Sequence, residues 1–191
     1  MLLRRQKQDG EEAKEGKGSM GRRQAMKYTG TKNGTKAYYD SIARGYDGLH
    51  RDEQLRKMAA ISRFLPEKAL VLDVGCGTGL SAALGKVVGV DPSRGMLLHS
   101  KMPVVQGAGE HLPFKDNSVD ASICVTSLHN FFDYGAGIKE MERVSRGAII
   151  ISALKKARAY AGIEACIMAN LVVERMIDSR LDMMFVCRKK R

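Results

Sequence analysis

The run Leu70-Val71-Leu72-Asp73-Val74-Gly75-Cys76-Gly77-Thr78-Gly79 constrains this chain more than any other segment. A short, continuous, β-branched apolar stretch reads as a strand buried on both faces of a parallel sheet, not as a half-exposed alternating one. The glycines at every second position after it let the backbone turn tightly and approach a ligand with no Cβ in the way. A second stretch of this kind, Val87-Val88-Gly89-Val90, ends in Asp91. It brings a carboxylate to the same sheet edge, where the hydroxyls of a ribose would find an acceptor.

A dinucleotide site would carry the spacing G-x-G-x-x-G, with the pyrophosphate on the following helix N-terminus. Here the third fingerprint position is Leu80 and the glycines run G-x-G-x-G. Asp73 also stands two residues before the first glycine, inside the strand. A carboxylate there repels a pyrophosphate but can hold a cationic amino group, directly or through water. The residues therefore describe a nucleoside with a positively charged tail and no phosphates, which S-adenosylmethionine fits.

The segments in which these residues lie resemble the class I S-adenosylmethionine-dependent methyltransferase family, nearest its compact quinone-biosynthesis-like members of the methyltransferase domain 11 type. Asp73 to Gly79 resembles the first motif of that family and Gly89-Val90-Asp91-Pro92-Ser93 the second. Gln106-Gly107-Ala108-Gly109-Glu110-His111-Leu112-Pro113-Phe114 resembles the third, and Asp116 to Val125 the approach to the fourth strand. The resemblance spans roughly residues 38 to 189. It implies a Rossmann-like, doubly wound α/β fold with a seven-stranded sheet, mostly parallel with an antiparallel last strand. It implies S-adenosylmethionine as cofactor, with S-adenosylhomocysteine as product. By the same resemblance the cofactor-binding residues are Tyr46, Asp73, Gly75, Cys76, Gly77, Gly79, Asp91, Pro92, Ser93, Glu110, His111, Leu112 and Thr126. Asp73 orients the loop and meets the methionine ammonium, Asp91 takes both ribose hydroxyls, and Pro92, Ser93 and Leu112 flank adenine.

The third motif departs from the family pattern. An acidic residue often stands two before Glu110, whereas this chain has Ala108. Backbone groups around Ala108 to Glu110, or Glu110 itself, would then read the base. The fourth strand runs into Thr126-Ser127-Leu128-His129-Asn130-Phe131-Phe132. Transfer of a methyl group mainly needs alignment and dryness, and a base matters only where the acceptor carries a proton that must leave. His129 is the catalytic candidate, against the alternative of a packing residue. The segment is not the Asn/Asp-Pro-Pro-Tyr/Phe box, which argues against methylation of DNA adenine or glutamine. Tyr38, Tyr39 and Tyr46 either cover the cofactor or form a plain aromatic helix face.

Strand signals at 69–74, 87–90, 103–106, 120–125 and 147–153 alternate with helix signals at 78–84, 93–100, 134–144 and 157–169, a pattern for helices on both faces of a parallel sheet. Residues 54–65 read as an amphipathic helix stopped by Pro66, and Val172–Ile177 with Met183–Cys187 as a closing hairpin. Between the third and fourth strands the sequence predicts a loop, not a helix, and no inserted substrate-recognition cap interrupts the later strands. With 191 residues and a net charge of +11, the chain is basic, but the charge is concentrated at its ends. Residues 1–34 are Gly/Lys/Glu-rich and read as a disordered basic extension to a methyltransferase domain at 35–191. Arg188-Lys189-Lys190-Arg191 closes the chain. Such tails are either solvated or attract RNA. The expected partners are therefore an unidentified methyl acceptor, with RNA through the tails and a small activating subunit as alternatives. A non-catalytic S-adenosylmethionine-binding protein is the alternative of another class. Four scattered cysteines make no C-x-x-C pair, so neither a metal site nor a disulfide framework is expected, and the expected location is a reducing cytoplasm without a membrane anchor.

Overall fold

The computed structural model describes residues 32–190. Seven strands form one sheet: β1 (Val71–Val74), β2 (Val87–Asp91), β3 (Val104–Gln106), β4 (Ala121–Val125), β5 (Ile149–Leu154), β6 (Leu171–Ser179) and β7 (Asp182–Lys189). Their spatial order is β3-β2-β1-β4-β5-β7-β6. β1 to β5 pair in parallel, and β7 runs antiparallel to both neighbours. The chain winds outward from β1 to β3, then returns to place β4 on the other side of β1. Ligand crevices open at such a switch, at the carboxyl ends of the strands. All four residues of β1 are buried, as the continuous apolar run requires.

Alternation along the strands sends side chains to two cores. Leu72, Val74, Ile149 and Ile151 pack under α3 (Tyr134–Val144) and α4 (Tyr160–Asn170) with Ile138, Met141, Ile163 and Ile167. Val71, Ile123, Ile150, Met184 and Val186 pack on the opposite face against Met58 and Ile61 of α1 (Lys32–Ile61). The apolar face expected at 54–65 is therefore only the last part of a 30-residue helix. That helix gives way at Ser62–Phe64 to a 3-10 turn before Pro66.

Two expected helices are shorter than their sequence patterns. The segment at 78–84 is a 3-10 turn, Leu80–Leu84, ended by Gly85 at φ 101°. The segment at 93–100 holds α2, only Arg94–Leu97, capped by the Ser93 side chain on the Met96 amide. α3 matches its expected span, and Asp133 caps it by accepting from the Ala136 amide at 2.9 Å. No helix lies between β3 and β4. That loop is stapled from α3 instead: Glu140 accepts the Leu112 amide at 2.7 Å, and Arg143 donates to the carbonyls of Phe114 and Leu112. The expectation for residues 1–31 and Arg191 lies outside the described residues. At the other end, Arg188 pairs with Glu174, Lys189 donates to Asn117, and Lys190 donates to the Ala169 carbonyl, so these three cations fold back on the domain. Among the described residues no helix is long and apolar enough to cross a membrane, and no cluster of side chains could hold a metal.

Candidate methyl-donor site

The glycine loop closes over the end of β1. Gly75 and Gly77 adopt positive φ of 79° and 54°, a region that disfavours every residue with a Cβ. A Cβ on Gly75 would also collide with the Ser127 side chain, so the loop is pressed against the end of β4. Two neighbouring spaces lie there, one of about 230 Å³ and one of about 40 Å³. Tyr46, Gly75 and Gly77 line both.

Asp73 lies on the smaller space and is 4% exposed. Its Oδ2 accepts the Ser81 hydroxyl at 2.5 Å, and its Oδ1 is buried without a partner. Burial, opposed by the Ser81 bond and aided by the charge of Asp91, pushes its carboxyl up to about 7. An unpartnered buried carboxylate oxygen beside a space of this size fits an ammonium group, alone or with one water. Cys76 lines the same space, and burial pushes its thiol well above the usual range, so it packs and does not react.

Asp91, Pro92 and Ser93 form one wall of the larger space. Asp91 Oδ2 accepts the Gly77 amide at 2.9 Å and Oδ1 the Ser93 amide at 2.8 Å. The two N–H groups fix the carboxylate in one plane and leave each oxygen a free lone-pair direction, as bidentate hydroxyl binding requires. Glu110 lies on the opposite wall, and its Oε1 accepts the Phe132 amide at 2.8 Å. Glu110 thus anchors the approach to α3 and is not a freely solvated carboxylate. Ala108 and Gly109 line the same wall.

Four sequence-derived candidates stand outside both spaces. Leu112 is 5% exposed in the core beneath α3 and α4, placed there by the Glu140 staple, so it does not flank the cavity. His111 is exposed on the turn that precedes it. Gly79, at φ 79°, starts the 3-10 turn and supports the loop from behind. His129, in the 3-10 turn Leu128–Asn130, does not line the cavity, although Thr126, Ser127 and Asn130 around it do. Its Nδ1 is buried without a partner, and burial holds its pKa below the usual value against the opposing charge of Asp182.

α1 crosses the mouth of the cleft and is clasped at three levels. Asp40 Oδ1 accepts the Ser93 hydroxyl at 2.6 Å and the Gly95 amide at 2.8 Å. Its carboxyl is held down to about 2 by the Lys36 and Ser93 hydrogen bonds. Asp47 accepts the Thr78 hydroxyl at 2.5 Å. Lys57, 3% exposed, meets Asp182, Glu53 at 2.8 Å and the Thr126 hydroxyl at 2.8 Å. Tyr39 and Tyr46 face the larger space with ring centroids 6.3 Å apart, whereas Tyr38 stacks edge-on behind Tyr39. Sequence reasoning missed Lys57, Asp182, Asp40 and Asp47. A lysine in the apolar face of 54–65 was a visible signal for the first. Asp40 and Asp47 stand beside the tyrosines already singled out at 39 and 46, whereas nothing local marked Asp182.

The family profile described as "Methyltransferase domain" matches residues 72–151, the span from β1 through β5. The demethylmenaquinone methyltransferase of Corynebacterium kroppenstedtii is 46% identical over 120 residues, covering 56% of this chain and 52% of that protein. The chain spans about half the length of the curated relatives it matches. An S-adenosylmethionine-dependent methyltransferase of Thermotoga maritima has the same fold with a TM-score of 0.66 at 19% identity, covering 82% of this chain and all of that one. A chain from the Haloferax volcanii complex of the Trm112 methyltransferase activator with its methyltransferase also superposes with a TM-score of 0.66, at 16% identity, covering 80% of this chain and 98% of that one. Strand order, glycine loop, paired aspartates and the matched segment agree: residues 72–151 carry a methyltransferase domain, set in the fold of the class I S-adenosylmethionine-dependent methyltransferases.

Proposed function

We propose that residues 35–191 form a methyltransferase domain that passes a methyl group from S-adenosylmethionine to a small acceptor. One observation carries this reading: the unpartnered Asp73 oxygen and the braced Asp91 carboxylate border two neighbouring spaces that share Gly75 and Gly77 as lining. S-adenosylmethionine supplies an electrophilic methyl carbon on a sulfonium. The residues of this chain do the rest. Asp73 takes the ammonium, Asp91 takes the ribose hydroxyls, and Ala108 to Glu110 face the base. α1 roofs the cleft and keeps water out. Because methyl displacement needs alignment above all, a rigid loop against Ser127 and a clasped roof are the devices expected.

The acceptor end of the cavity is walled by Tyr39, Phe131 and Phe132. That lining suits a flat apolar ring, and the Corynebacterium relative is named for a quinone of this kind. His129 is the proposed base for an acceptor that must lose a proton, since a lowered pKa keeps the imidazole neutral at physiological pH. An RNA acceptor draws its support only from the basic N-terminal segment, and an activating subunit remains the alternative partner. The four free cysteines fit a reducing cytoplasm.

Calorimetric titration with S-adenosylhomocysteine tests the donor site. Binding is expected in the full chain and strongly weakened in Asp91→Ala, and absence of binding would remove the reading. A transfer assay with labelled methyl donor on fractionated extract then asks whether label enters small molecules, as expected, or RNA or protein.

A further inference from the structure

Ala108, Gly109 and Glu110 line the larger space as part of an arch over residues 108–111 that is pinned at both ends. At the first end the Gly107 amide donates to the Asp91 carbonyl at 3.2 Å, so the arch starts from the residue whose carboxylate is braced for the ribose. At the second end Leu112 is held by both of its backbone groups. Its amide donates to Glu140 Oε2 at 2.7 Å, and its carbonyl accepts from Arg143 at 3.1 Å. Within the arch the His111 amide donates to the Ala108 carbonyl at 3.2 Å. Its middle rests on Phe131, since a Cβ on Gly109 would collide with that ring and with Val74.

The second pin is built around one guanidinium. Arg143 and Glu140 stand one turn apart on α3 and meet as a fork, Nε to Oε1 at 2.7 Å and Nη2 to Oε2 at 2.8 Å. Arg143 also donates to the Phe114 carbonyl at 2.8 Å and to the Asp116 carboxylate at 2.7 Å. It thus binds alternate residues of a segment that has no helix of its own, which a planar guanidinium can do and a compact ammonium cannot. Leu112, Phe114 and Asp116 line neither space of the cleft, so what the fork fixes at the cavity is the height of the arch.

Ala108 gives that height its importance. It brings no side-chain acceptor, and Glu110 commits Oε1 to the Phe132 and Asp133 amides. The amides of Ala108, Gly109 and Glu110 are not bonded within the described residues. A base seated against the arch meets backbone donors whose positions the two pins set. We propose that Arg143 is a positioning residue for the cofactor base: through Glu140 and the Leu112 backbone it holds the arch where its amides meet the edge of adenine. This role rests on the S-adenosylmethionine reading and deepens it, by assigning the base selectivity of the donor site to a fork on α3 outside the cavity.

Calorimetric titration of the full chain with S-adenosylhomocysteine and with S-inosylhomocysteine tests this. The second ligand carries a carbonyl in place of the adenine amine and a ring N–H where adenine has an acceptor, so it sets donor against donor at the arch. The ratio of the two affinities reads base selectivity. Wild type is expected to prefer the adenine ligand by about tenfold or more. In Arg143→Lys, which keeps the charge and loses the fork, the ratio should fall to within about threefold of unity, through loss of S-adenosylhomocysteine affinity. A merely structural role would weaken both ligands alike and leave the ratio standing. Equal affinities in wild type, or the wild-type ratio retained in Arg143→Lys, overturns the proposal. If Arg143→Lys does not fold, Glu140→Gln puts the same question to the Leu112 pin, and a retained ratio there overturns it. Failure of the wild type to bind S-adenosylhomocysteine removes the donor site itself, whereas binding with unchanged selectivity removes only the role of Arg143.

Discussion

The two ends of the cleft are built in opposite ways. At the donor end, Asp91 accepts amides only 14 and 2 residues away, and Asp73 accepts a hydroxyl 8 residues away. Behind the proposed acceptor end, Thr126 is joined to Lys57 across 69 residues and to Asp182 across 56. The donor end is a local motif that the sheet merely presents. The acceptor end exists only once α1, β4 and β7 have come together. A change at the first should act mainly on ligand affinity, and one at the second mainly on stability and on the geometry of the roof.

Removal of the buried cation tests this contrast most strongly. Lys57→Met leaves Asp182 charged and buried, and should destabilise the fold by about 3–5 kcal/mol in urea unfolding, with most of the loss recovered in Lys57→Met/Asp182→Leu. If the single variant is as stable as wild type, the acceptor end is not the long-range structural node described. Asp91→Ala should show the reverse pattern. S-adenosylhomocysteine affinity should fall by about 2–3 kcal/mol, roughly 30- to 150-fold, with a smaller change in stability.

Asp73→Asn should weaken the same ligand by about tenfold and abolish a proton-linked step. With its folded carboxyl at about 7 against an ordinary 3.8, Asp73 is mostly protonated at pH 6 in the free protein. An incoming ammonium favours the carboxylate, so binding at pH 6 should release about one proton, measured by calorimetry in buffers of different ionisation enthalpy, and none in Asp73→Asn. The sign for stability follows. A raised carboxyl favours folding below the unfolded value, and this contribution declines as pH climbs through about 7, so the ligand-free protein should lose stability between about pH 4 and 7 from this group. Asp40→Asn should cost the least, under about 1 kcal/mol, because the carboxylate keeps about a third of its surface in water, 31%. Its contribution is present above the ordinary carboxylate range and is lost as pH falls through about 2, readable as faster hydrogen exchange at the start of α1.

Much of the fold was legible because its signals are local. The buried runs of β1, β2, β4 and β5, the helix at 134–144 and the closing hairpin follow from apolar period and turn residues alone. Leu112 shows where that reading stops. Its motif position marks it as a cofactor neighbour, yet its amide is drawn to Glu140, 28 residues on, and its side chain into the core. The single long α1 was hidden for a similar reason: Gly45 and Gly48 weaken a helix in isolation, and its clasps to Ser93, Thr78 and Asp182 cannot be seen in its own sequence.

By itself, then, the sequence determined the donor. Glycines that need positive φ, a carboxylate inside a buried strand and another at the end of the next strand are local facts of chemistry. Tertiary structure decided everything that faces the acceptor. Lys57 and Asp182 lie 69 and 56 residues from Thr126 along the chain, and only burial makes these groups answer to one another, because a polar group removed from water must be matched by whatever the fold brings beside it.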